Sequence, residues 1–284
     1  MKLAVASLLD LTLADLLPVL AEKLKAGACP LCDKCDGRCE ARARELLGPR
    51  ATGWAERFQT GNPAAELAGR IDHTLLKPEA TPSQVESLCR EAREQRFASV
   101  CVNPRYVPLC VQALQGSGVA VCTVAGFPLG ATTPGAKAYE AREAVRAGAQ
   151  EVDMVLSIGL LRAGDDRAVR REIARVVRIC HRKGALCKVI IETALLDDAE
   201  KVRACRLSVA AGADFVKTST GFAKAGATVY DVLLMRYIVG EKAGVKAAGG
   251  IRTLADAFKM LVAGANRLGA SAGVQLVAEI RGSL

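Results

Sequence analysis

Two lysines and an aspartate in this 284-residue chain have the residue types and settings that carbonyl chemistry needs. Lys217 stands in Ala213-Asp214-Phe215-Val216-Lys217-Thr218-Ser219-Thr220-Gly221. Lys246 stands in Val245-Lys246-Ala247-Ala248-Gly249-Gly250-Ile251-Arg252, and each apolar run ends in a glycine turn. An ammonium buried in an apolar strand is costly, so its pKa tends to fall, and a second ammonium nearby pushes the same way. A lysine that is partly neutral near pH 7 attacks carbonyls and forms Schiff bases. One such lysine alone reads as a packed stem whose head snorkels to water. Two, each beside a glycine turn, point to carbonyl chemistry. Asp153, in Glu151-Val152-Asp153-Met154-Val155-Leu156, is the acid to set beside them. A carboxylate in an apolar strand is rarely left unpaired, so Lys246 or Lys188 is its expected partner. That ion pair is compatible with proton shuttling beside a Schiff-base lysine.

The surrounding pattern supplies elements that could position these groups. From about residue 70, short β-like runs (70–76, 98–102, 119–125, 151–156, 186–191, 214–218, 244–248 and 266–268) alternate with amphipathic helical stretches. The helical stretches are 82–95, 105–114, 135–147, 165–182, 197–211, 228–239, 253–263 and 272–281. Such alternation implies a parallel sheet. Eight units predict a closed α/β (β/α)8 TIM barrel over residues 66–284. An open doubly wound sheet is the rival, but it would want a glycine-rich turn after the first strand, and Asp72-His73-Thr74-Leu75-Leu76-Lys77-Pro78 has none.

In such a barrel the reacting groups collect at the C-terminal strand ends. The polar residues there are Asp72, Cys101, Asn103, Asp153, Lys188, Glu192, Lys217 and Lys246. Anions are commonly held by the loops after strands 7 and 8. Gly249-Gly250-Ile251-Arg252-Thr253 and Gly269-Ala270-Ser271-Ala272-Gly273 offer backbone N–H groups at helix starts, and Gly221 after strand 6 adds another small residue.

Residues 1–65 read as a separate helical extension. A leucine-rich amphipathic helix is expected over 3–25, a second over 40–58 interrupted at Gly48-Pro49, and a linker over 59–63. Between the helices, Cys29, Cys32, Cys35 and Cys39 have the C-x2-C-x2-C-x3-C spacing of a ferredoxin run, without its following proline. Zinc or an iron–sulfur cluster on these four cysteines is weighed equally with a metal-free segment. The spacing is tighter than a typical zinc site of two separated pairs.

The chain is 51% hydrophobic and carries a net charge of +9, enough apolar residue for a substantial core. Arg167, Arg170, Arg171, Arg178 and Arg182 recur at helical spacing, but without aromatic interleaving or a nucleic-acid motif, so they read as a solvated helix face. The positive surface favours anionic small molecules. No run approaches a membrane span, and Asp10 and Asp15 break the leader-like start. Apolar strand cysteines then suggest a reducing cytoplasm. A homo-oligomer is compatible with the sequence, which does not fix the assembly state.

The segments Ile71-to-Lys77, Ser99-to-Pro104, Glu151-Val152-Asp153, Lys188-to-Thr193, Val216-to-Gly221 and Lys246-to-Arg252, in that order, resemble the deoxyribose-phosphate aldolase family. The resemblance covers residues 66–284 and leaves out the cysteine segment. It implies a Schiff-base class I aldolase acting on a small phosphorylated sugar, needing no cofactor for catalysis. Lys217 would form the Schiff base, with Asp153 and Lys246 as the proton-transfer pair. Asp72, Cys101 and Lys188 would line the substrate, and Gly221, Gly249, Gly250, Arg252, Gly269 and Ser271 would hold phosphate. Phe222 and Ala247 depart from one form of the family pattern, which has lysine and proline there.

Overall fold

The computed structural model describes residues 45, 48–50, 52–54, 56, 57 and 61–282. Eight parallel strands close into one barrel in sequence order. They are β1 (Ile71–Leu75), β2 (Ser99–Val102), β3 (Ala120–Ala125), β4 (Glu151–Val155), β5 (Leu186–Ile190), β6 (Phe215–Lys217), β7 (Gly244–Ala248) and β8 (Arg267–Ala270). β1 pairs with β8 to complete the ring. The expected barrel and its strand order are therefore present.

The helices form the outer layer: α1 (Pro63–Ala68), α2 (Pro82–Gln95), α3 (Val107–Ala113), α4 (Pro134–Arg146), α5 (Ile158–Arg162), α6 (Asp166–His181), α7 (Asp198–Ala210), α8 (Val229–Val239), α9 (Leu254–Ala263) and α10 (Gly273–Gly282). Side-chain caps fix several of their starts. Thr81, Asp197 and Thr253 each head a reciprocal capping box, and Thr133, Asp165 and Thr228 accept from the first turn. Each such cap stabilises by about 1 kcal/mol. On α6, Val169, Ile173, Val176, Val177 and Cys180 are buried while the arginine stripe is exposed, as its spacing predicts. Buried Glu172 on that helix pairs with buried Lys137 of α4 at 2.8 Å, a contact the periodicity does not reveal.

Three details differ from the sequence expectations. α5 follows β4 directly, where a loop was expected. β8 extends to Ala270, so Gly269 lies within a strand and not in the loop beyond it. α1, capped by Asn62, begins inside the expected linker and straddles residue 65. Of the expected second helix, residues 45, 48–50, 52–54, 56 and 57 are helical, Gly48 and Pro49 included. The expected helix 3–25 and Cys29, Cys32, Cys35 and Cys39 lie outside the described residues. Among the described residues, no helix is long and apolar enough to cross a membrane. Seven described cysteines are free and buried.

Candidate active site

The strand registers bring the chemistry-bearing residues together. Asp153 of β4 pairs in register with Lys188 of β5, and Lys217 of β6 with Lys246 of β7. In each of these strands the alternation of faces sends the named side chain into the barrel. Asp153 becomes the hub. Its Oδ1 accepts from Lys188 Nζ at 2.8 Å and from the Cys122 thiol at 3.2 Å. Its Oδ2 accepts from Lys217 Nζ at 2.8 Å and from Lys246 Nζ at 2.7 Å. All four charged side chains are buried.

A second tier ties these groups to the barrel floor. Asp72 of β1 lies 2.5 Å from Lys246 Nζ and 3.9 Å from Lys188 Nζ. Glu151 of β4 lies 2.5 Å from Lys188 Nζ. Arg267 of β8 bridges both acids, through Nε to Asp72 at 2.7 Å and through its two terminal nitrogens to Glu151 at 3.1 Å. Four cations thus face three carboxylates. Lys246 has two carboxylate partners and Lys188 has three within 4 Å. Lys217 has one oxygen of Asp153, shared with Lys246.

The electrostatics follow from this pairing, and they correct one expectation. Burial pushes the Lys246 ammonium down, but Asp153 and Asp72 outweigh it and hold its pKa above the ordinary lysine value. Lys188 is held well above its ordinary value against burial by the carboxylates of Asp153, Glu151 and Asp72. An apolar strand alone would lower both; the carboxylates facing them reverse the sign. For Asp153, burial acts to raise the carboxyl, and the ammoniums of Lys188, Lys217 and Lys246 bring it well below the usual range. Burial foremost keeps the Cys122 thiol well above its ordinary pKa, so it serves as a hydrogen-bond donor.

Cys101 is buried in β2, beside Cys122 of β3. Sulfurs of Cys101 and Cys122 and an Asp153 oxygen lie within 4.8 Å of one another. A divalent cation placed there would confront the three ammoniums already on Asp153, so the donor set does not fit a metal.

The expected anion-binding residues divide into two groups. Gly221, Gly249 and Gly250 have φ of 88°, 86° and 82°, left-handed values that favour glycine, in the β6 and β7 loops at the barrel mouth. Those loops are stitched together, Ala227 N donating to Ala248 O at 3.1 Å and Gly249 O at 3.0 Å. Ser271, exposed, follows β8. Arg252 is exposed at the start of α9, but its backbone N–H and that of Thr253 donate to Asp256 Oδ2 at 3.2 and 3.0 Å. The α9 start is thus already satisfied by a carboxylate. Gly269 is buried in β8, where an added Cβ would come 3.0 Å from Ala248 Cβ and 3.2 Å from Lys246 Cε. Its missing Cβ makes room for Lys246.

Three supporting residues, unlike the expected Asn103 and Glu192, carry no obvious sequence signal. Arg267, Glu151 and Cys122 complete the buried network, although Arg267 could have been found as an inward position of the last strand. Glu192, past the end of β5, adopts a left-handed conformation (φ 54°) and is buried. Its Oε2 accepts from Thr220 N at 3.1 Å and Thr220 Oγ1 at 2.5 Å, fixing the loop that follows Lys217. Asn103 Nδ2 donates to Leu76 O at 3.2 Å and so joins the β2 and β1 loops. Phe222, half exposed, packs edge-on against Phe127 with ring centres 5.3 Å apart. These residues follow β6 and β3, three strands apart around the ring, so their rings meet over the mouth.

Residues 67–278 match the sequence model described as the DeoC/LacD family aldolase. A deoxyribose-phosphate aldolase of Streptococcus uberis is 58% identical over 207 residues, covering 73% of this chain and 93% of that protein. One from a Thermoanaerobacter species is 58% identical over 214 residues, covering 75% and 96%. The structure of the deoxyribose phosphate aldolase of Aeropyrum pernix, described as a unique tetramer, superposes with a TM-score of 0.76. It is 35% identical, over 85% of this chain and 99% of that one.

Proposed function

This chain belongs to the DeoC/LacD aldolase family, and we infer that it is a deoxyribose-phosphate aldolase. It reversibly cleaves 2-deoxy-D-ribose 5-phosphate to D-glyceraldehyde 3-phosphate and acetaldehyde, through a lysine Schiff base. The observation that carries this reading is the shared carboxylate oxygen, Asp153 Oδ2, between Lys217 and Lys246.

Lys217 is the nucleophile. It ends β6 and has the fewest carboxylate contacts of the three lysines. Its amine adds to the aldehyde carbon of the open-chain sugar, and loss of water leaves the iminium. That iminium is an electron sink. When the C3 hydroxyl gives up its proton, the bond between C2 and C3 breaks and glyceraldehyde 3-phosphate departs. The remaining enamine takes a proton at C2, and water hydrolyses the iminium to release acetaldehyde and Lys217. Asp153 and Lys246 form the proton-transfer pair, the carboxylate touching both amines. Lys246, held cationic by two carboxylates, is the donor, and Lys188 fixes the other oxygen of Asp153. The imine polarises the carbonyl carbon, so the chemistry draws on no metal.

Asp72, Cys101 and Lys188 line the deeper part of the site. Gly221, Gly249, Gly250, Arg252, Gly269 and Ser271 are the proposed phosphate contacts, and the missing Cβ of Gly269 also leaves room for Lys246. A homo-oligomer and a cytoplasmic location, where the buried free thiols persist, belong to the same reading. Incubation with 2-deoxyribose 5-phosphate, with acetaldehyde and glyceraldehyde 3-phosphate measured separately, tests it. Equimolar release of the two is expected. Turnover of other phosphorylated sugars, with none of this substrate, would overturn it.

A further inference from the structure

We propose that the opposite, N-terminal face of the barrel carries a second site, one that binds a small polyphosphorylated anion. A cavity of about 300 Å³ lies there between helical residues of the extension and the floor of the barrel. Its lining includes Arg50, Trp54 and Arg57 from the extension and Arg70, Arg236 and Glu241 from the barrel. Arg70 immediately precedes β1, and Arg236 lies in the last turn of α8. These are the entrances of strands, whereas Lys217 stands at the exit of β6. The cavity is therefore separate from the aldolase site.

The charge pattern argues for an anion. Among the described residues, four guanidiniums face one carboxylate in this lining, and none of the four forms an ion pair. Glu241 acts on Arg50 and Arg236, and Glu66 on Arg70, only from beyond ion-pair distance. Burial, aided by mutual repulsion, pushes Arg70 and Arg236 below the ordinary arginine pKa, and burial likewise lowers Arg50. Clustering cations without carboxylate partners is unfavourable, and a bound polyanion would supply the missing counter-charge. The cations are also held in place. Trp54 has the guanidinium carbons of Arg57 and Arg70 each 5.5 Å from its ring centre. Arg236, only 4% exposed, donates to Gly264 O and Ala243 O at 3.0 Å each, and also to Gly240 O and Asn266 Oδ1. A planar guanidinium fork suits phosphate oxygens, and several together suit a ligand with more than one phosphate.

Such a ligand would clamp the extension to the barrel floor, and binding to the folded state alone would stabilise it by mass action. Trp54 is the sole tryptophan of the chain, so its emission reports the cavity directly. The test titrates the full chain with pyrophosphate and with tripolyphosphate, against sodium chloride at matched ionic strength. A saturable change in Trp54 emission is expected, with a parallel rise in Tm. In Arg50→Gln/Arg70→Gln the half-saturation should rise at least tenfold, while kcat/KM for aldol cleavage stays within twofold. If that double variant does not fold, Arg57→Gln at the exposed rim should weaken the same response. No saturable change, or one undiminished in the folded variant, would overturn the site; the latter result would assign the binding to the substrate-phosphate loops.

Discussion

Lys217 and Lys246, in register on adjacent strands, donate to the same oxygen of Asp153, at 2.8 and 2.7 Å. Both amines are buried, but Lys217 touches one carboxylate whereas Lys246 lies between two. In the proposed mechanism the same residue type is thereby divided into a nucleophile and a fixed cation. The division comes from the neighbours of each lysine and not from its own strand.

If Asp153 and Lys246 act as one unit, Asp153→Asn and Lys246→Leu should each lower kcat by on the order of 10²-fold or more. The double variant should lose far less than the product of the two, because either change alone already breaks the shared contact. Fully multiplicative losses in steady-state kinetics would mean independent roles.

The buried network also sets a pH dependence. Asp72 and Asp153 have depressed folded-state pKa values, so below about pH 3.9 the unfolded chain binds more protons and stability falls with pH. Lys188 and Lys246 have raised values, so their contribution is complete below about pH 10.4 and is lost only as pH rises beyond it. Their combined contribution should therefore be flat between about pH 5 and pH 10. Urea unfolding across this range checks it, and Asp72→Asn should flatten the acid limb. A steep change near neutrality that disappears in Asp72→Asn would contradict the assignment.

Much of this site was legible from the chain. Lys217, Asp153 and Lys246 stood out because a charged residue in an apolar strand needs a reason, and a closed barrel gives those strands a common interior. What could not be read was who pairs with whom. Burial alone would lower the Lys246 pKa, and the residue that helps hold it cationic, Asp72, comes from a strand far away in sequence. Arg267 and Glu151 were missed because their roles depend on closure of the barrel across β1 and β8. Gly269 was placed in a loop because an Asn-Arg-Leu run ended the visible strand pattern, whereas its missing Cβ makes space for Lys246. The capping carboxylate of Asp256 was equally hidden, being a turn-level contact.

Glu192 holds the loop after Lys217 through Thr220 N and Oγ1. Glu192→Gln keeps the shape but weakens a charge-assisted contact worth about 1.5–3 kcal/mol. KM for the phosphorylated sugar should rise about tenfold or more, since 1.4 kcal/mol is tenfold, with a smaller change in kcat. An unchanged KM beside a collapsed kcat would place Glu192 in the chemistry instead.

Removal of residues 1–60 should leave kcat near that of the full chain, because the groups assigned to the reaction all come from β1 onward. The shortened protein should melt at lower temperature, since Leu261 and Gly264 at the barrel floor lose their cover. A folded, soluble truncation with no aldolase activity would make the extension part of the site.

The most direct test traps the covalent intermediate. Acetaldehyde and borohydride should convert one lysine to its N-ethyl form, and peptide mapping should find it at Lys217, with turnover lost in proportion. Adduct on Lys188 or Lys246, with Lys217 unmodified, would contradict the central assignment.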